Sequence, residues 1–321
     1  MAEPTLISVG ELLVEFVSHR TGCALKELSE FSGPYPSGAP AICIDQAARM
    51  GTRTALYGGL GDDNFGKALI ERLQSGGVDT SGIRQHADKT TGVAFVSYFE
   101  DGSRIFIFHL DNTAADAVSA NDIQIPTGPL ILHVSGASLG NVNIRSAIEK
   151  AVSDVVANGG KISCDPNARP ELMGSPAVRE ALAGIMEKST WLFPSTSDLG
   201  FLFPNKSENE AIDALLGYGA EIVALKRGAE GCVIFTNTDE PLPLSGYTVD
   251  ETDPTGAGDC FCGTFLAMLS KGHTPEEAGV YANAAGAIAV TRCGPMEGNS
   301  SPEEIERFIS AHKDKPPTQA L

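Results

Sequence analysis

Val249-Asp250-Glu251-Thr252-Asp253-Pro254-Thr255-Gly256-Ala257-Gly258-Asp259-Cys260-Phe261-Cys262-Gly263 is the stretch on which the reading of this chain turns. Apolar Tyr247 and Val249 precede it, and Phe261, Phe265, Leu266 and Leu269 recur after it at helical spacing. The pattern predicts a strand, a tight glycine turn and the start of a helix. Small residues at 256–258 let the backbone come close to a bulky anion. The amides of Gly256, Ala257, Gly258 and Asp259 would then point out of the helix N-terminus, where the dipole also favours negative charge. A carboxylate at Asp259 repels a phosphate unless its task is to take a proton from an attacking hydroxyl. Phosphoryl transfer divides labour in that way: amides hold the charge, and one Asp positions or deprotonates the nucleophile. The plainer alternative is an ordinary helix N-terminus with an acidic first turn.

The bulk numbers limit what such a site can serve. With 321 residues, one large α/β domain, or a domain plus an accessory piece, is expected. A net charge of −18 argues against nucleic acid or an anionic membrane as the main partner. A bound polyanion therefore needs a local positive site or a metal ion. Cysteines 23, 43, 164, 232, 260, 262 and 293 form no C-x-x-C pair and no metal-ligand grouping with His, which suits a reducing cytosol. The N-terminus lacks a basic start and an apolar signal core, and no apolar run reaches membrane-spanning length. A soluble cytoplasmic protein is expected.

Taken in order, Thr5-Leu6-Ile7-Ser8-Val9 reads as a buried first strand. Leu12, Leu13 and Val14 continue it and deliver Glu15 near its C-terminal end. Ligands gather at that edge of an open α/β sheet; a solvated strand-end carboxylate is the alternative. Gly22, Gly33, Pro34 and Pro36 break up residues 17–36, and Gly38 then turns the chain into a helix that carries Ile42 and Asp45. In Gly61-Asp62-Asp63-Asn64-Phe65-Gly66, after a strand, Asp63 reads as a helix cap. The runs 93–99 and 105–108 flank Glu100-Asp101-Gly102-Ser103-Arg104, a hairpin signal that implies a second small sheet.

From Leu130 onward strands and helices alternate. His133 reads as a packed core histidine. The strand Lys161-Ile162-Ser163-Cys164 ends in Asp165-Pro166-Asn167-Ala168-Arg169. This sets a carboxylate, an amide and a guanidinium at the sheet edge, where Arg169 could meet a transferred phosphate; an Asx-turn is the alternative. A further strand, 221–225, precedes Lys226-Arg227-Gly228-Ala229-Glu230-Gly231, and an Ala-rich helix over 282–290 carries Asn283.

Together these stretches resemble the PfkB (ribokinase-like) carbohydrate kinases, from about Gly10 to Cys293-Gly294. Residues 253–263 match the family's D-T-x-G-A-G-D-x-F-x-G signature with Pro254 in place of Thr. The 37–51 segment is similar to its G-G-x-x-x-N signature, with Ser37 for the first Gly and Ile42 for the Asn. The resemblance implies a three-layer α/β sandwich with a central, mostly parallel sheet. One kinase domain over 1–321 is implied, with a small β-sheet lid built from about 15–36 and 92–112. It implies Asp259 as the base and the backbone at Gly256, Ala257 and Gly258 as the anion hole. Glu15, Gly38, Asp45 and Arg169 fall to the sugar; Lys226, Gly228, Gly231 and Asn283 fall to the nucleotide. Asp198 stands for the Glu of an N-x-x-E motif that organises Mg²⁺ through water, and Asp253 borders a monovalent cation site. ATP, Mg²⁺ and K⁺ are the implied cofactors, and a homodimer the implied assembly.

In 2-keto-3-deoxygluconate kinases an Arg before an Ala pair meets the substrate carboxylate. Aligned on Ala114-Ala115, that position is Leu110. A neutral ketohexose such as tagatose or fructose is therefore the expected substrate. A 2-keto-3-deoxygluconate kinase and a non-catalytic sugar-binding regulator are the alternatives. A Rossmann dehydrogenase is disfavoured, because its glycine fingerprint would follow an early strand rather than come this late.

Overall fold

Leu6 and Ile7 are adjacent in the chain, fully buried, and belong to different cores. Successive side chains of a strand point to opposite faces, so this strand is covered on both sides. The computed structural model describes residues 3–100, 103–168 and 174–312. The strand is β1 (Thr5–Val9), followed by β2 (Leu13–Ser18), β3 (Phe31–Ser37), β4 (Thr54–Gly61), β5 (Ile83–His86), β6 (Gly92–Tyr98) and β7 (Arg104–His109). After these come β8 (Leu130–Ser135), β9 (Lys161–Asp165), β10 (Trp191–Leu192), β11 (Ile222–Lys226), β12 (Gly231–Phe235) and β13 (Leu242–Ser245).

Among the described residues nine strands form the large sheet, in the order β13-β12-β11-β10-β9-β8-β1-β4-β5. From β11 through to β5 neighbours are parallel; β12 and β13 add an antiparallel edge. One face packs on α1 (Ala39–Arg49), α2 (Asn64–Gly76) and the later helices α7 (Ala257–Ser270), α8 (Pro275–Ala289) and α9 (Pro302–His312). The other face packs on α3 (Val142–Ala157), α4 (Pro176–Met186), α5 (Thr196–Leu202) and α6 (Glu208–Gly217). Three layers result, as the alternation of buried strands and amphipathic helices requires. Asp63 caps α2 by accepting from the Gly66 amide at 2.8 Å, as its position predicts.

The small sheet has the order β3-β2-β6-β7, with β6 and β7 the antiparallel hairpin that the 93–108 pattern predicts. One expectation fails here. Leu12 to Glu15 do not prolong β1; the chain leaves the large sheet at Gly10, and β2 belongs to the small one. A Cβ on Gly10 would stand 2.5 Å from Pro40 Cγ, so the chain presses close against the start of α1 at the crossing. Apolar residues are buried on both sides of that break, which hides it from a hydrophobic pattern.

His133 on β8 is fully buried, its Nδ1 3.0 Å from the Ser163 hydroxyl. Burial, helped by the Lys226 ammonium, pushes its pKa down to about 3. The unfolded chain binds this proton near pH 6.5 and the folded chain does not, so stability is whole above that pH and falls as pH drops towards 3. Between pH 7 and pH 5.5 this one residue should cost about 1 kcal/mol. Urea midpoints of wild type and His133→Met at the two pH values check it: the variant should lose less on acidification, and equal losses would clear His133 of the effect.

Candidate active site

The glycine turn and the helix after it form as their residues predict, but the strand expected at Tyr247 and Val249 does not: β13 ends at Ser245 and the chain runs without regular structure to the turn. The Thr252 and Asp253 amides donate to the Val290 carbonyl at the end of α8, at 2.7 and 3.1 Å, which anchors the approach. Gly256 has φ 83°, and a Cβ there would stand 2.3 Å from the Pro295 carbonyl oxygen; only glycine fits. No side chain caps α7, whose N-terminus is the positive end of the helix, and the Ala257 amide there donates to the Pro254 carbonyl at 3.4 Å. Asp259 lies in that first turn, 9% exposed. Ile42 on α1 packs towards the same turn, its Cγ2 3.3 Å from where a Gly256 Cβ would stand. It offers packing there, not a polar contact.

A buried ion pair backs the turn. Lys226, at the end of β11, pairs with Asp165 Oδ2 at the end of β9, with side-chain exposures of 14% and 3%. Its Nζ is 3.3 Å from the Cβ position of Gly258, and Cys262 Sγ lies 4.0 Å away. Burial works against the ammonium, but the nearby carboxylates, Asp165 first, outweigh it and hold Lys226 above the usual lysine range. Lys226 is thus a paired cation beneath the Gly256–Gly258 turn, at the position to which the resemblance assigns a nucleotide contact. Asp165 Oδ1 accepts from the Asn167 amide at 3.1 Å, which is the Asx-turn. Arg169 lies outside the described residues.

Asp198 is 3% exposed and closes a capping box. Its Oδ2 accepts from the Ser195 amide and hydroxyl at 2.7 and 2.6 Å, and its Oδ1 from the Ala168 amide at 2.7 Å. Burial, then Asp165, raises its pKa. It ties the 165–168 strand end to α5, with three of its roughly four acceptor positions used.

Glu15 is 2% exposed in the middle of β2, opposite Tyr35 and Ala94, and its Oε2 accepts from the Ser37 hydroxyl at 3.3 Å. The strand-end position after β1 belongs instead to Glu11, 8% exposed, which the sequence reading passed over; the carboxylate directly after Gly10 was the available signal. Gly38 has φ 115°, and a Cβ there would meet the Glu11 carbonyl oxygen at 2.4 Å, so it serves close packing beneath Glu11.

Asp45 is not available to a sugar. It is fully buried and held by Arg49 at 2.9 Å, Arg72 at 3.1 Å and the Asn299 amide at 2.6 Å. Asn283 donates to the Leu244 and Ser245 carbonyls at 3.2 and 3.3 Å, holding the backbone of β13. Gly231 is fixed by that same strand, since a Cβ would stand 2.2 Å from the Leu244 carbonyl oxygen; Gly228 has open space around it.

Two tyrosines of the small sheet, unflagged in the sequence, reach the turn and the loop at Gly294 beside it. The Tyr98 hydroxyl, at the end of β6, bonds Asp253 Oδ1 and lies 2.6 Å from the Thr255 hydroxyl. Asp253 also accepts from the Thr255 amide and the Gly294 amide, both at 2.9 Å. Three of its roughly four acceptor positions are therefore used. The Tyr35 ring lies 2.6 Å from the Cβ position of Gly294. Among the described residues no group of three or more His, Cys, Asp and Glu is placed to hold a metal ion, and no helix is long and apolar enough to cross a membrane.

Known proteins share this fold. The "putative Ribokinase II" of E. coli, solved with ATP and Mg²⁺, is 40% identical with a TM-score of 0.89, covering 96% of this chain and all of that one. A fructokinase double mutant from Vibrio cholerae O395, bound to fructose, ADP and potassium, is 25% identical with a TM-score of 0.84, over 96% and 99% of the two chains. Fructokinase-2 of Zea mays is 33% identical over 91% of this chain and 90% of its own. Residues 4–302 match the model of the pfkB family carbohydrate kinases. By that match and those relatives, the chain belongs to the pfkB carbohydrate kinases.

Proposed function

We propose that this protein is an ATP-dependent kinase of a neutral ketohexose, of the fructose or tagatose kind. The observation that carries the reading is the placement of Asp259 in the first turn of uncapped α7, behind a turn where only Gly256 fits. Asp259 takes the proton from the acceptor hydroxyl, while the backbone at Gly256, Ala257 and Gly258 holds the phosphoryl charge. Glu15 offers its carboxylate to sugar hydroxyls from β2, and Arg169 supports the phosphate. The small sheet closes over the sugar and keeps water from the phosphoryl group. Lys226 adds positive potential beneath the turn without touching the nucleotide.

With no protein cage of carboxylates among the described residues, Mg²⁺ would arrive on the nucleotide phosphates, where it supplies charge neutralisation. Asp198 reaches it at most through water. Asp253 keeps one acceptor position beside Gly294, which fits a monovalent ion, with K⁺ the candidate. Edge strand β7 exposes Ile105, Ile107 and Phe108, and a homodimer pairing these edges would cover them. Seven unpaired cysteines suit a cytosolic setting.

Leu110 and Ile42 shape the specificity. Leu110 packs over Gly92, its Cδ2 2.7 Å from the Cβ position there, and brings no charge to a carboxylate. An acidic sugar closed into this pocket would lack a partner from that side, at a cost of several kcal/mol. Fructose or tagatose should therefore beat 2-keto-3-deoxygluconate in kcat/KM by at least about tenfold, or roughly 1.4 kcal/mol. The comparison is made side by side at saturating ATP and Mg²⁺. A preference for the acid would overturn the neutral-sugar assignment.

A further inference from the structure

Tyr98 sits at the last position of β6, 155 residues before Asp253, and its hydroxyl bonds the carboxylate that starts the phosphate-binding turn. Arg104, its partner across the hairpin, sends Nη1 to the same Thr255 hydroxyl at 3.4 Å. Asp253 is 1% exposed, so a phenol-to-carboxylate bond to it is shielded from water and charge-assisted. Through the Thr255 and Gly294 amides, Asp253 also fixes the two loops that flank Gly256. β6 in turn pairs with β2 at Ala94 and Glu15. One hydroxyl therefore connects the strand beside the candidate sugar carboxylate to the loop that carries the candidate anion hole.

We propose that Tyr98 is a positioning residue that latches the small sheet onto the Asp253–Thr255 segment, so that the sugar-side sheet and the phosphate turn close as one unit. This rests on the sugar-kinase reading for its consequence, but not for its existence. Where two ligands each bind best to the state in which one shared contact is made, each raises the affinity of the other by the same factor. The latch makes sugar binding and nucleotide binding cooperative through the Tyr98 hydroxyl.

Tyr98→Phe removes that hydroxyl and keeps the ring. Hydrogen exchange of residues 92–98 and 104–109, without any ligand, should quicken by about tenfold in the variant, with thermal unfolding nearly unchanged. Equal exchange in the two proteins would overturn the latch whatever the enzyme's substrate. With ketohexose and ATP, the sugar KM should rise by about tenfold while kcat changes far less. The tightening of sugar by a non-hydrolysable ATP analogue should fall by a similar factor. A kcat loss at unchanged KM would also overturn it. A wild type that fails to turn over any sugar counts against the kinase reading alone, and the exchange arm still decides the latch.

Discussion

Asp259→Asn is expected to lower kcat on the order of 10²–10⁴-fold, the usual worth of a general base. Asn keeps the size and the hydrogen-bonding reach of the side chain but cannot accept the proton of a sugar hydroxyl. Nucleotide affinity should change little, because the proposed mechanism holds the anion by backbone amides of a turn fixed by Gly256 and Asp253. The loss should therefore sit in kcat and not in the ATP KM. Most activity surviving in the variant would remove Asp259 from the role of base and leave it an acidic first-turn residue.

Lys226→Met is expected to act on the fold. It strands the Asp165 carboxylate, 3% exposed, without its cation. Breaking a buried pair from one side costs about 3–5 kcal/mol, since the remaining charge stays desolvated. Lys226→Met combined with Asp165→Asn removes both charges and should recover at least half of that loss. Urea unfolding of the two single variants and the double closes the cycle. A cost below about 1 kcal/mol for Lys226→Met would mean that water or another group already satisfies Asp165.

What the sequence made legible was what is decided locally. The 253–263 turn, the Asp63 cap, the 93–108 hairpin and the buried His133 each follow from residues within a few positions of one another. Contacts made across the chain were not legible. Asp45 reads as a free carboxylate on a helix until Arg72 and Asn299 arrive from 27 and 254 positions away. Lys226 shows no sign of its buried ion pair until β9 brings Asp165 beside it. Glu15 was placed at the end of the wrong strand, because β1 and β2 are both apolar and buried and only the crossing at Gly10 separates them. Tyr98 carried no local signal, since an aromatic at a strand end is ordinary until its hydroxyl finds Asp253.

The central claim is that this chain moves phosphate from ATP to a sugar hydroxyl. The most direct measurement is ADP release by the purified protein with Mg²⁺ and ATP, with and without fructose or tagatose, beside Asp259→Asn. The account predicts ADP release that depends on the ketohexose, one sugar phosphate per ADP, and near-complete loss in the variant. Sugar binding with no sugar-dependent ADP release across a panel that also holds ribose, adenosine and 2-keto-3-deoxygluconate would contradict it and make the protein a sugar-binding regulator.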